Sequence, residues 1–327
     1  MALLTDLLTL LLPVAAVATD ERSSAPLTGR ATATVTVAGG GGTILLQETF
    51  ENTAFAARGW YDNTAYSITT AEHIPGSTSA LQIHYPVGGG YLGAAMRHSF
   101  TATPSVYISY WVKYSDNWVG SGRLSHPHEY EILSDMDGAT SALSQTWLGL
   151  YLEQNYQNGG IPRMSIQDNN EITTSYGTPP INLIGVTENR STCGCNGQLE
   201  TTSSVGGSHL VWSCYNAPPW YNAKEINANQ VWFQPTPGPG YKGNWNYIEA
   251  YYQLNSIVGG VAQDDGVMQY WFNGTLAIDR HDIQYRTSAR PNIQFNQFDI
   301  TPYIGGSGSP VDQYMWVDNL TVATARP

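Results

Sequence analysis

Residues 245–274 read WNYIEAYYQLNSIVGGVAQDDGVMQYWFNG, and their alternation decides the fold. A β-strand turns successive side chains to opposite faces. Trp245, Tyr247, Glu249, Tyr251 and Gln253 therefore share one face, and Asn246, Ile248, Ala250, Tyr252 and Leu254 the other. In the next segment Gln269 and Trp271 alternate with Met268, Tyr270 and Phe272, and Asn273-Gly274 is a residue pair favoured in tight hairpin turns. One apolar face and one aromatic-polar face fit a half-covered antiparallel sheet. The same period recurs further out: Tyr107, Ser109, Trp111 and Lys113 oppose Ile108, Tyr110 and Val112, and Trp147, Tyr151, Glu153 and Asn155 oppose Leu148, Leu150 and Leu152. Strands are expected at 44–51, 79–86, 94–101, 106–115, 129–134, 146–153, 163–167, 246–254, 267–272, 275–280, 293–299 and 314–323, separated by Gly, Pro, Asn and Asp clusters. No stretch sustains a helical period. The expected fold is all-β, a β-sandwich or jelly roll with long loops. The segment 177–243, carrying NAPPWYN and QPTPGPGYKG, is loop-rich and long enough to form a rim or lid.

The N-terminal run Leu7 to Ala18, ending Ala16-Val17-Ala18, reads as a secretory signal peptide over 1–18 and is too short to span a bilayer. Residues 19–42 read as a low-complexity linker, and 43–327 as the jelly-roll domain. No later apolar run approaches membrane length, so no membrane partner is expected. Fourteen Lys and Arg against 26 Asp and Glu give a net charge of −12, which argues against nucleic acid as a partner. Only 12% of residues are charged, whereas Tyr numbers 21 and Trp 10, a balance suited to an extracellular protein handling neutral or hydroxyl-rich ligands; a monomer is expected. Cys193, Cys195 and Cys214 fit that compartment, with Cys214 expected to pair with one of the other two. Closing such a loop of about 20 residues stabilises by about 3 kcal/mol. A Cys-x-Cys metal site lacks an evident fourth ligand. Asn189, Asn273 and Asn319 head sequons and mark a glycoprotein where the host glycosylates.

Rings interleaved with amides and carboxylates suit a polysaccharide, whose C–H faces stack on aromatics while its hydroxyls need hydrogen-bond partners. The expected substrate-binding surface comprises Trp111, Trp147, Tyr151, Glu153, Tyr247, Glu249, Gln269 and Trp271. The densest ionisable cluster is HPHEYEILSDMD (126–137), with His126, His128, Glu129, Glu131, Asp135 and Asp137. Three chemistries fit it. β-Elimination from a uronic acid needs proton transfer, assigned to His128 or Tyr251, and neutralisation of the sugar carboxylate, assigned to Arg97, Lys113 or Arg123. Hydrolysis needs paired carboxylates, and Glu129 and Glu131 on one strand face would lie about 6.6 Å apart. Metal binding would use His126 and His128 with Glu131 or Asp135. Against all three, the histidines end a strand and the acids solvate a DMDG turn. Separately, Glu48, Glu51 and Asp318 offer oxygens for a structural calcium, or are acids of edge strands. No cofactor is required.

NWNYIEAYYQLN (244–255) and DDGVMQYWFNG (264–274), with YWVKYSDNW (110–118) before them, resemble strands of the concanavalin-A-like jelly-roll polysaccharide lyases of the alginate and glucuronan lyase type. The resemblance covers about half of the chain. It implies a concanavalin-A-like sandwich of two antiparallel sheets and cleavage of a uronic-acid-containing polysaccharide by elimination. The chain departs from the pattern at GSGRLSHPHEYEILSDMDG (120–138), where such lyases carry a Gly-Lys-Leu-Pro-Gly type loop. Gln82-Ile83-His84 matches an alginate lyase triplet at the wrong end of the chain. A glycoside hydrolase of the same superfold and a non-catalytic, lectin-like binding module are the alternatives. Paired histidines and carboxylates favour an enzyme over a binder, and the acidic balance counts against a polyuronate.

Overall fold

The computed structural model describes residues 41–89, 95–122, 126–141, 146–155, 160–167, 199–200, 209–210, 226–288, 290–305 and 308–327. The expected signal peptide, nearly all of the expected linker, the three cysteines, Asn189 and Arg123 lie outside the described residues.

Two antiparallel sheets carry the architecture. The first contains β1 (Ile44–Glu48), β3 (Ser67–Thr69), β4 (Ala80–Tyr85), β6 (Ser105–Tyr114), β13 (Asn246–Gln253), β16 (Gly266–Phe272), β17 (Thr275–Ile283) and β19 (Gln313–Ala323). Its order is β17-β16-β13-β6-β19-β4-β3, with β1 on β19. The second contains β2 (Trp60–Asp62), β5 (Met96–Thr103), β7 (His128–Ser134), β8 (Gly149–Asn155), β9 (Ile161–Gln167), β12 (Ile226–Asn227) and β18 (Phe295–Ile300), in the order β12-β9-β8-β7-β18-β5-β2. Two short hairpins, β10 (Leu199–Glu200) with β11 (His209–Leu210) and β14 (Ile257–Val258) with β15 (Val261–Ala262), stand apart. Neighbours in each sheet are mostly distant in sequence, which is the mark of a jelly roll.

The core forms between the sheets from the apolar faces read above. Ile108, Tyr110 and Val112 on β6, Ile248, Ala250 and Tyr252 on β13, and Met268, Tyr270 and Phe272 on β16 face Tyr130, Ile132, Leu150, Leu152, Met164 and Phe298 of the second sheet. Buried hydroxyls find partners across the gap, as where Tyr130 and Tyr252 meet at 3.0 Å. Asn273 and Gly274 close the β16–β17 hairpin with φ of 49° and 78°, and Asn273 Oδ1 accepts the Tyr247 N–H at 2.8 Å.

One expectation is corrected by the topology. The aromatic-polar faces do not form one surface. Tyr247, Glu249, Tyr251, Gln269, Trp271, Trp111 and Lys113 lie on adjacent strands of the first sheet, whereas Tyr151 and Glu153 sit on β8 of the second. The core separates the two outer faces. Trp147 precedes β8 and packs under Arg290, whose guanidinium carbon is 4.4 Å from the ring centroid.

Candidate active site

The outer face of the second sheet is polar and buried. Cross-strand pairing lines up Tyr61, Arg97, Asp299, Glu131, Tyr151 and Ser165 in one row, and His128, Glu153, Arg163 and Asn227 in the next. Seven strands thus deliver side chains to one face because residues directly opposite in a sheet share a face.

A β-bulge shapes the centre of this face. His128 pairs with Glu153 and Tyr130 with Leu152, leaving Glu129 as the extra residue. His128 and Glu131, three apart, consequently share the outer face. Glu129 turns inward with Tyr130, and its carboxylate accepts the hydroxyls of Tyr110 and Tyr114. Glu129 and Glu131 therefore do not form a carboxylate pair on one face, which corrects the expected hydrolytic geometry. Burial pushes the Glu129 carboxyl above its usual range, against the pull of the hydrogen bonds from Tyr110 and Tyr114.

His128 is held on every side. Its Nδ1 lies 3.0 Å from Glu131 Oε1 and its Nε2 3.2 Å from Glu153 Oε1, and Tyr151 stacks on the ring with centroids 4.4 Å apart. Glu153 is fully buried; its Oε1 also meets His126 Nδ1 at 3.0 Å, and its Oε2 is paired with Arg163. His126 lies in the segment leading into β7, at a positive φ of 70°. The segment is anchored by Gln154 N–H donating to Pro127 O and His128 N–H donating to Tyr303 O. These bonds bring the His126 and His128 rings to 4.8 Å and set Tyr303 4.8 Å from His126. His126, with 22% of its side chain exposed, and the half-buried Tyr303 are where the cluster meets solvent.

Arg97 occupies the other end of the face. Its guanidinium donates to Asp62, Gln297, Asp299 and the Ser141 carbonyl at 2.9–3.0 Å, so it positions neighbours and is not an unpaired neutraliser for a substrate. Burial pushes the Asp299 carboxyl well above its usual range, against the pull of Arg97, and the nearby acids Glu131 and Asp137 add to the rise.

The remaining expected residues lie elsewhere. Tyr251 is on the first sheet's outer face, bonded to Gln253, and is remote from the histidines by topology. Lys113 pairs with Glu72 at 2.5 Å and sits over Trp316. Glu249 accepts the Tyr107 hydroxyl at 2.6 Å and pairs with Arg326 at 2.7 Å, and that guanidinium covers Trp271 at 4.7 Å. Trp111 and Tyr247 remain partly exposed beside them, at the edge of a shallow cavity of about 310 Å³ lined by Tyr107, Tyr247, Glu249 and Arg326. Gln269 donates to Asp279. Asp135 accepts the Gln294 N–H, while Asp137 accepts from Ser134 and Trp147, ordinary turn chemistry for both. Glu48 is taken by Arg58 at 2.7 Å and the Trp60 indole at 2.8 Å, while Glu51 and Asp318 meet at the Ser77 hydroxyl, 3.0 Å from each. Among the described residues, the group whose ligand atoms all lie within 4.8 Å of one another is His126, His128 and Glu153, so the third member is neither Glu131 nor Asp135.

Sequence reasoning missed Arg163, Asp299, Gln297 and Tyr303. The first three alternate with Met164, Ile166, Phe298 and Ile300 in strands expected from the sequence, so their outward direction was readable. Tyr303 follows a strand and left no such signal.

No protein-family model matches the chain, and no curated protein matches it. Among solved structures it is similar to the alginate lyase Aly36B, at 14% identity and a TM-score of 0.44 over 87% of this chain and 93% of that one. It is similar to the alginate lyase vAL-1 from Chlorella virus, at 15% and 0.46 over 80% and 89%. The endo-β-1,4-glucuronan lyase from the fungus Trichoderma reesei follows at 11% and 0.43 over 80% and 87%. These are remote likenesses.

Proposed function

We propose that the chain is a secreted lyase that cleaves a uronic-acid-containing polysaccharide by β-elimination at the His126–Tyr303 edge of the second sheet's outer face. The observation that carries this reading is a buried, charged network of His128, Glu131, Glu153 and Arg163 that reaches solvent through the His126 imidazole and the Tyr303 phenol. In elimination the C5–H bond breaks and its electrons form the C4–C5 double bond. The C4–O bond breaks in turn, and the leaving oxygen takes up a proton; no water is consumed. Tyr303 is assigned the proton transfers, and His126, the imidazole that meets solvent, a hydrogen bond to the sugar carboxylate as the enolate forms. Trp111 and Tyr247, on the opposite sheet, are assigned to glycan contact away from the reaction.

Polyuronates and neutral glycans, followed in parallel by ultraviolet absorbance of the conjugated product and by reducing ends, test the reaction. Tyr303→Phe should lower turnover by about 10²- to 10⁴-fold while sparing binding. Reducing ends without absorbance would mean hydrolysis, and binding without cleavage a lectin-like module. Sequencing the exported chain, expected to begin after Ala18, and mapping Cys214 to Cys193 or Cys195 test the compartment.

A further inference from the structure

We infer that His126, His128 and Glu153 form a mononuclear site for a divalent cation of the zinc class. The inference is independent of the reaction proposed above. Two imidazole nitrogens and one carboxylate oxygen are a zinc donor set, and three protein ligands with an open fourth position distinguish reactive zinc sites from structural ones. Ligand atoms of a tetrahedral zinc site, each about 2.0–2.2 Å from the metal, stand about 3.3–3.5 Å from one another. Glu153 Oε1 lies 3.0 Å from His126 Nδ1 and 3.2 Å from His128 Nε2, and the three ligand atoms all lie within 4.8 Å of one another, so modest side-chain shifts would admit the ion.

The surroundings are compatible with a bound cation. His128 Nδ1 lies 3.0 Å from Glu131 Oε1, so Nδ1–H can donate to that carboxylate while Nε2, beside Glu153 Oε1, gives its lone pair to the ion. A ligand histidine backed by a carboxylate is the usual outer-shell arrangement of such sites, and Arg163 on Glu153 Oε2 orients the third ligand in the same way. Charge points in the same direction. Arg97 and Arg163 stand among Asp62, Glu131 and Glu153, an acidic excess that a cation offsets. The fourth position would open beside Tyr303, where His126 is partly exposed.

The test uses the full-length chain. After equilibration with zinc and gel filtration, wild type should retain one equivalent per chain by elemental analysis. The cobalt(II) form should show visible bands of a low-coordinate N/O site without the near-ultraviolet charge transfer of thiolate ligands, which separates this site from the three cysteines. His126→Ala, at a partly exposed position, should keep the wild-type circular dichroism and lose the metal. Glu131→Gln, which touches only the outer shell, should weaken binding about 10- to 100-fold. Wild type free of zinc, equal retention by folded His126→Ala, or a thiolate signature in the cobalt form would each overturn the inference. Metal content is read without substrate, so a chain that binds zinc but cleaves nothing would refute the lyase reading and leave the site standing.

Discussion

Replacing Glu129 separates a structural acid from a catalytic one. Its side chain is 3% exposed and its two oxygens take the hydroxyls of Tyr110 and Tyr114 from the opposite sheet. Glu129→Ala leaves two buried hydroxyls unpaired at about 1–3 kcal/mol each, a loss of about 2–6 kcal/mol from a domain whose whole stability is of order 5–15. Glu129→Gln keeps the shape, one acceptor and a donor to which the second hydroxyl can rotate, so it should cost about 1 kcal/mol. The two proteins should also part with pH. Because burial raises the folded carboxyl above the unfolded value of about 4.3, its stabilising proton is fully held below that value. That contribution is lost as pH rises through the folded pKa. The amide of the Glu129→Gln protein does not titrate, so the variant should gain on wild type from pH 4 towards 8. Urea unfolding followed by tryptophan fluorescence at each pH measures both effects, and turnover per folded molecule should stay at the wild-type level. A Glu129→Gln protein with unchanged unfolding midpoints and no turnover would place Glu129 at the substrate and refute the inward assignment.

Arg97→Ala removes the cation that four acceptors share and leaves Asp299 buried without it; urea titration should show a loss of about 3–5 kcal/mol, and a neutral outcome would mean the face is wetter than its burial indicates. Trp271 is 5% exposed beneath Arg326, so Trp271→Ala should destabilise by about 3–5 kcal/mol. Trp111→Ala, at a partly exposed ring, should leave the unfolding midpoint nearly unchanged and weaken retention on immobilised polysaccharide; if the two tryptophans behave alike, the distinction between them is wrong. Arg326→Ala should cost no more than about 1 kcal/mol, since the guanidinium is partly solvated, and should shift tryptophan emission to the red by uncovering Trp271.

Period-two alternation made the direction of most strand side chains legible, and that is why the sandwich was readable without any partner information. Ile248 and Tyr252 went inward and Glu249 and Tyr251 outward, as read. What alternation does not carry is the identity of the sheet. A strand with one apolar face looks the same in either layer, and in this topology β13 pairs with β6 while β8 pairs with β7 and β9. Tyr151 and Glu153 therefore read like Tyr247 and Glu249 and ended on the far side of the core.

The bulge at Glu129 hid the rest. In HEYE a regular strand puts Glu129 with Glu131, and only an extra residue puts His128 with Glu131. One trace of it was present in the sequence. Tyr110 and Tyr114 fall on the inward face of β6, and two phenols in a dry core need an acceptor from the opposite layer. Ile132, Leu150 and Leu152 offer none and the Tyr130 hydroxyl is engaged with Tyr252, whereas Glu129, moved across by one inserted residue, supplies both oxygens. The same insertion puts His128 and Glu131 together on the outer face. Satisfying the core tyrosines and backing His128 with a carboxylate are thus two consequences of one backbone irregularity. A deletion that regularises β7 should for that reason damage stability and the outer-face cluster together.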